Sequence, residues 1–265
     1  YAQGKPEIAT ANEGYISNIT AVITEDGIVV IDALATPSLA VLFLQKLKQI
    51  SDQPVVKVIA THYHADHIYG LQVFKEQGAK IVAPLGFQDY LDLPIATSRL
   101  EERRVSLYPW VDDETYLVIP DEVIGEDTNF SLGGVDFQIN YLGRAHSDGD
   151  LSVLVKPDKV LISGDIIFEG RVPFTGSADT RRWLSLLESL DNTGLKGLIP
   201  GHGQVGKDPM QMVDMTRRYL QALRSVMQQA VDDFVSFDEA YEAADWSEFE
   251  DLPAFVEANR LNAYG

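Results

Sequence analysis

All five histidines of this 265-residue chain fall in three short segments, and each segment directly follows an apolar run. That distribution is the strongest constraint on the fold. In Thr61-His62-Tyr63-His64-Ala65-Asp66-His67, four nitrogen or oxygen donors occupy six residues after the strand-like run Val55–Ala60. Residues two apart in an extended segment point the same way, so His62 and His64 can face one point together. The chain then turns into a helix, and Asp66 and His67 can face a neighbouring point. His146 lies in Gly143-Arg144-Ala145-His146-Ser147, and His202 lies in Pro200-Gly201-His202-Gly203. Asp165, in Ser163-Gly164-Asp165, is read as just following a strand in the same manner. Ends of neighbouring strands converge on one sheet edge, where sites are commonly built. The fold must therefore bring these strand ends together.

Composition narrows the chemistry. There is no cysteine, so disulfides and thiolate sites are excluded, and a metal here must sit on His, Asp or Glu. The net charge of −19 repels phosphate backbones and anionic lipid heads, which argues against nucleic acid and membrane partners. No run of eighteen apolar residues exists to span a membrane. The first residue is Tyr1, and Tyr1-Ala2-Gln3 reads as the remnant of a cleaved signal peptide. The expectation is a periplasmic or secreted protein, with a cytoplasmic one as the alternative.

Periodicity predicts strands first, then strands alternating with helices. Tyr15–Ile23 and Ile28–Asp32 read as a hairpin turning at Glu25-Asp26-Gly27. Thr36-Pro37 opens a helix with Leu39, Leu42, Phe43 and Leu47 on one face. Ile68–Gln77 reads as a helix closed by Gly78, and Lys80–Ala83 as a strand. Leu91–Asp127 is read as loops with a short strand at Tyr116–Ile119. Strand pairs follow at Phe130–Leu132 with Val135–Leu142, and at Leu151–Val155 with Val160–Ser163. Asp179–Leu190 is a helix, Lys196–Ile199 a strand, and a long helix begins after Pro209 with an acidic helical remainder. The expected fold class is α+β: a four-layer αββα sandwich in one domain, 1–265, with C-terminal helices from about residue 209.

With these residues in view, His62-x-His64-x-Asp66-His67 resembles the metal motif of the metallo-β-lactamase fold superfamily, and His146, Asp165 and His202 follow in the order that superfamily uses. The resemblance implies that His62, His64 and His146 hold a first metal and that Asp66, His67 and His202 hold a second. It implies that Asp165 bridges them, as in the glyoxalase II and lactonase branches. Two zinc ions per chain suit the donor set, with iron or manganese as alternatives. The implied activity is zinc-dependent hydrolysis, in which a hydroxide between the metals attacks the carbonyl of a lactone, thioester, ester or β-lactam. Asp66 is then also catalytic, orienting the nucleophile and passing its proton to the leaving group.

The chain departs from the true β-lactamases in two places. Asp165 stands where their largest subclass has cysteine, and Phe168 stands where that subclass carries a lysine. The loop Phe168–Phe174 should overhang the metals. Phe168 and Phe174 are expected as an apolar wall and Arg171 as a binder of a substrate carboxylate. Asp32 is expected in a structural hydrogen-bonding role, Tyr63 and Tyr69 in packing, and Trp110 at the pocket mouth. Arg217, Arg218 and Arg224 read as a solvated helix face. The alternatives to hydrolysis are iron-dependent redox chemistry of the persulfide dioxygenase kind, a nuclease, and a non-catalytic metal-binding module.

Overall fold

Strand β2 (Gly27–Ile31) is buried along its whole length, and this shows how the layers are built. Successive side chains in a strand point to opposite faces. Val29 and Ile31 pack towards a second sheet, with Ile59, Val82, Phe137, Ile139, Leu151, Val153 and Ile162. Ile28 and Val30 face the other way, onto helices, with Val58, Ile81, Leu47, Leu71, Phe74 and Phe87. A strand covered on both faces reads as an unbroken apolar run, as Gly27–Ile31 does.

The structure is a computed structural model, and it describes residues 1–190, 194–206 and 208–265. The first sheet orders β1 (Thr20–Thr24), β2, β3 (Val55–Ile59), β4 (Lys80–Pro84) and β5 (Glu122–Ile124). Only β1 and β2 are antiparallel there. The second sheet orders β10 (Gly197–His202), β9 (Val160–Phe168), β8 (Asp150–Val155), β7 (Val135–Gly143) and β6 (Thr128–Leu132), with β9 and β10 parallel. Helices α1 (Pro37–Lys48), α2 (Ala65–Ile68), α3 (Leu71–Glu76), α4 (Leu85–Leu91) and α5 (Pro94–Ser106) belong to the first half. Helices α6 (Thr180–Ser189), α7 (Pro209–Asp232), α8 (Phe237–Ala243) and α9 (Phe255–Tyr264) belong to the second. Trp183, Leu187, Met212, Tyr219 and Leu223 of α6 and α7 pack with Leu161 and Leu198 of the second sheet. The expected αββα sandwich is therefore observed. The helix starts follow their caps: Thr36, Asp179 and Asp208 accept backbone N–H groups of the first turns of α1, α6 and α7.

Four local expectations are corrected. The helix expected at Ile68–Gln77 is two helices, parted at Tyr69-Gly70, where the backbone runs so close to Ala33 that a Cβ on residue 70 would lie 1.9 Å from the Ala33 carbonyl oxygen. The strand expected from Tyr15 begins only at Thr20. Before it the chain is drawn to the strand-end loops, where the Asn18 N–H donates to Gly201 and its side-chain amide to Pro200 and Gly203 carbonyls. Leu91–Asp127 is not mainly loop, since α5 alone spans 13 residues. It buries only Ala96 and Leu100, too thin a stripe to show as periodicity. The strand expected at Tyr116–Ile119 is displaced to β5, beyond Pro120, where the chain pairs with β4.

Candidate metal centre

The three histidine segments meet. His62 and His64 follow β3, and Asp66 and His67 lie in α2. His146 sits in the turn between β7 and β8, and His202 ends β10. Asp165 departs from expectation: it lies inside β9, which runs on to Phe168. Donor atoms of His62, His64, His146 and Asp165 fall within 4.8 Å of one another, and so do those of Asp66, His67 and His202. Asp165 also faces the second group, 3.2 Å from both His67 Nε2 and His202 Nε2. The seven residues sequence reasoning selected therefore form two adjoining groups with Asp165 between them.

Three imidazoles share one arrangement. His67 Nδ1 is 2.9 Å from Asp32 Oδ2, His62 Nδ1 is 3.0 Å from the Thr61 hydroxyl, and His202 Nδ1 is 2.7 Å from the Ile16 carbonyl oxygen. In each case the outer nitrogen is occupied and Nε2 points inward. A partner on the outer nitrogen fixes ring orientation and tautomer, leaving the inner lone pair for a cation. His62 Nε2, His67 Nε2 and Asp165 Oδ1 are buried without hydrogen-bond partners among the described residues. Buried polar atoms seldom lack partners, and a cation between them would supply one. His64 Nδ1 and His146 Nε2 lie 2.9 Å apart. The donor set fits a metal ion.

Burial and neighbouring charges act on every one of these groups. Burial holds the His62 and His64 rings below their ordinary values, and the His67 charge and the His146 charge respectively add to it. Burial pushes His146 down to about 4, against the pull of Asp165. Burial alone would lower His67 and His202 too, but Asp165 and the other carboxylates outweigh it and raise both. Burial alone would raise Asp66 and Asp165, yet the neighbouring imidazolium charges of His67 and His202 hold both well below the usual range.

A cavity of about 340 Å³ opens onto this centre, lined by His64, Asp66, Asp165 and His202 together with Ile8, Ile16, Phe168, Arg171, Phe174, Arg99 and Arg103. The three residues expected to contact substrate are thus all in its wall. Phe168 is fully buried and stacks face to face on the His202 ring, centroids 5.0 Å apart. Phe174 is 38% exposed and stands edge-on to His64 at 6.1 Å. Trp110, expected at the mouth, is not in the lining. Asp32 serves as expected, accepting from the Thr61 N–H and hydroxyl as well as from His67. Tyr63 packs on Tyr90 at 4.3 Å and donates to Asp148. Arg217 and Arg218 pair with Asp214, and Arg224 donates to Thr180, so these arginines belong to the α7 surface.

Some contributors were not read from sequence. Thr61 is one step before the motif, but its hold on His62 and Asp32 depends on the β2–β3 pairing. The Ile16 carbonyl carries no side-chain signal at all. Arg99 and Arg103 come from α5, whose helical character itself was missed. Asp150 accepts from the Ala145 and Ser147 N–H groups and the Ser147 hydroxyl, shaping the turn that carries His146.

Comparison with known proteins places this fold. A metallo-β-lactamase from Pontibacter korlensis superposes with a TM-score of 0.60 at 21% identity, over 77% of this chain and 93% of that one. A sec-alkylsulfatase from Pseudomonas sp. superposes at 0.68 and 19% identity, over 93% of this chain and 46% of that one. Among sequences, a type 2 metallo-β-lactamase of Elizabethkingia meningoseptica is 25% identical over 193 residues, 71% of this chain and 69% of that protein. An acyl-coenzyme A thioesterase of Gallus gallus is 28% identical over 157 residues, 54% of this chain and 55% of that protein. Residues 12–202 match the sequence model of the metallo-β-lactamase superfamily, a span that runs up to His202. The shared sandwich, the convergence of its strand-end loops and this match together show that the chain belongs to the metallo-β-lactamase superfamily.

Proposed function

We propose that this chain is a hydrolase with a two-cation centre that cleaves a carbonyl–heteroatom bond in a small molecule: an ester, thioester, lactone or β-lactam. The observation that carries the reading is the set of three imidazoles whose outer nitrogens are occupied and whose inner nitrogens are turned on shared carboxylates. His62, His64 and His146 would hold one zinc ion, Asp66, His67 and His202 the other, and Asp165 both. When bound, the cations supply a water of lowered pKa and positive charge that polarises the substrate carbonyl.

The chain's own residues do the rest. Asp165, 4% exposed, closes the floor of the cavity and keeps the two groups of donors together. Asp66 keeps 20% of its side chain exposed to the cavity, and its Oδ2 lies 3.2 Å from His202 Nε2. Held ionised by His67 and His202, it is placed to take a proton from water and to deliver it to the leaving atom. Phe168 and Phe174 exclude bulk water, which strengthens each electrostatic interaction inside. The relatives support both halves of the substrate range, one being named a β-lactamase and another a thioesterase.

The test begins with metal analysis of the purified chain. Two zinc ions per chain are expected. Chelation should abolish turnover on a panel of esters, thioesters, lactones and β-lactams, and zinc should restore it. A chain that holds both cations yet turns over none of the panel would sink the hydrolytic reading. Iron at the same stoichiometry would favour redox chemistry.

A further inference from the structure

The loop after β9 carries Phe174 to the cavity wall, yet groups that hold this loop come from the far end of the chain. Asn262, in the last helix α9, is 3% exposed and reaches the loop on both sides of residue 174. Its Oδ1 accepts from the Thr175 N–H at 2.9 Å, and its Nδ2 donates to the Pro173 carbonyl at 2.6 Å. The same Nδ2 donates its other proton to the Tyr219 hydroxyl of α7 at 2.7 Å, and that hydroxyl donates to Asn259. The Val172 N–H donates to the Pro253 carbonyl, just before α9. At the start of the loop the buried Thr216 hydroxyl of α7 accepts from the Phe168 N–H and donates to the Phe168 carbonyl, both at 3.1 Å.

Buried backbone groups need partners, and this loop finds them on α7 and α9. The Thr175 N–H can only donate and the Pro173 carbonyl can only accept. The side chain between them must therefore offer an acceptor and a donor on separate atoms, as an amide does. An aspartate lacks the donor, and an apolar side chain lacks both. Pinning the peptide groups at 173 and 175 fixes the direction in which Phe174 leaves the backbone. Its ring lies against Gly176, where a Cβ would come within 2.7 Å of it, and edge-on to His64 at 6.1 Å. A ring that is 38% exposed has little packing of its own, so its place depends on the backbone beneath it.

We propose that Asn262 is a positioning residue: through its amide, α9 sets the Phe174 ring as a wall of the cavity, and so sets the preference for substrates with an extended apolar group beside the scissile carbonyl. The substrate part rests on the hydrolytic reading, and the placement of the ring does not. Ile8 and Ile16 supply apolar lining to the same cavity, so a displaced ring opens an apolar channel to water. Asn262 and Thr175 are 87 positions apart, and only the packing of α9 on the loop joins them.

Fluorine NMR of the chelated full chain, labelled with 4-fluorophenylalanine, reads the ring without metal or turnover, its signal being assigned through Phe174→Leu. Asn262→Ala should move the Phe174 signal towards that of free fluorophenylalanine and leave the other fluorine signals in place. Asn262→Asp, which keeps the acceptor and loses the donor, should give an intermediate shift. A check on the wild-type chain needs no variant: the Thr175 N–H should exchange with solvent about tenfold or more slowly than an open loop amide. In the zinc-loaded chain, Asn262→Ala should raise KM for p-nitrophenyl hexanoate about tenfold with little change in kcat, and leave KM for p-nitrophenyl acetate nearly unaltered. A merely structural defect would affect both esters alike. A Phe174 signal unmoved in both variants, or a Thr175 amide that exchanges like an open loop, overturns the proposal. Equal changes in KM on the two esters overturn its substrate part. If neither ester is turned over, the hydrolytic reading fails, and the fluorine signal still decides the positioning role.

Discussion

At His67 the ring is held between Asp32 on one side and Asp165 on the other, and those neighbours decide which nitrogen carries the proton. The candidate donors that the structure brings together were legible in sequence, since imidazole and carboxylate are the only strong donors in a chain without cysteine. Their outer partners were not. Asp32 is 35 positions from His67 and reaches it only because β2 and β3 are neighbours. Asp150 is a similar case, and its effect is measurable. Burial pushes its carboxyl from 3.8 up to about 7, against hydrogen bonds from Ser147 that favour the charged form. The folded chain thus binds this proton more tightly than the unfolded chain does. The contribution favours folding at acid pH and is lost as pH rises from about 4 through about 7. In chelated protein, urea unfolding of wild type and Asp150→Asn should show the wild type losing stability relative to the variant across that window. Parallel profiles would mean that Asp150 is ionised throughout.

The elements deliver the ligands through close backbone approach. Strand β10 passes β9 with register shifts between Ile199 and His202, where the two strands bring Gly201 against Asp165. A Cβ on Gly201 would lie 1.9 Å from Asp165 Oδ1. Gly201→Ala is therefore expected to push the shared carboxylate aside, weakening zinc affinity by roughly 10–100-fold as loss of a ligand's support does. Competition against a chromophoric chelator reads this directly, with circular dichroism showing the fold retained. Unchanged affinity would mean that Asp165 does not hold both cations. The regular elements were legible where their apolar stripe is wide, as in α7, which buries Met212, Val213, Tyr219, Leu220 and Leu223. They were illegible where packing is thin, as at α5, or where a close backbone approach meets the break between two helices, as at Gly70.

Across the whole molecule the centre joins two halves. His62, His64, Asp66 and His67 follow the first sheet, while His146, Asp165 and His202 belong to the second. Cations between them would clamp the ends of two sheets whose shared core is otherwise apolar. A ligand bound only by the folded state stabilises by mass action, by about 2.7 kcal/mol at a hundredfold excess over Kd. Chelation is therefore expected to lower Tm, and added free zinc to raise it again in proportion to the logarithm of its concentration. A Tm indifferent to zinc would argue that no cation bridges the halves.

What the sequence determined alone was the donor chemistry and the alternation of buried strands with amphipathic helices, because both are properties of residue type and local spacing. It carried the seven donors and the four layers. What only the tertiary structure decided was which groups face one another across strands distant in the chain. Asp32 behind His67, the Ile16 carbonyl behind His202 and the buried Arg171 in the cavity wall all arise from pairing register and loop packing, which act between segments far apart and leave no mark at the residues themselves.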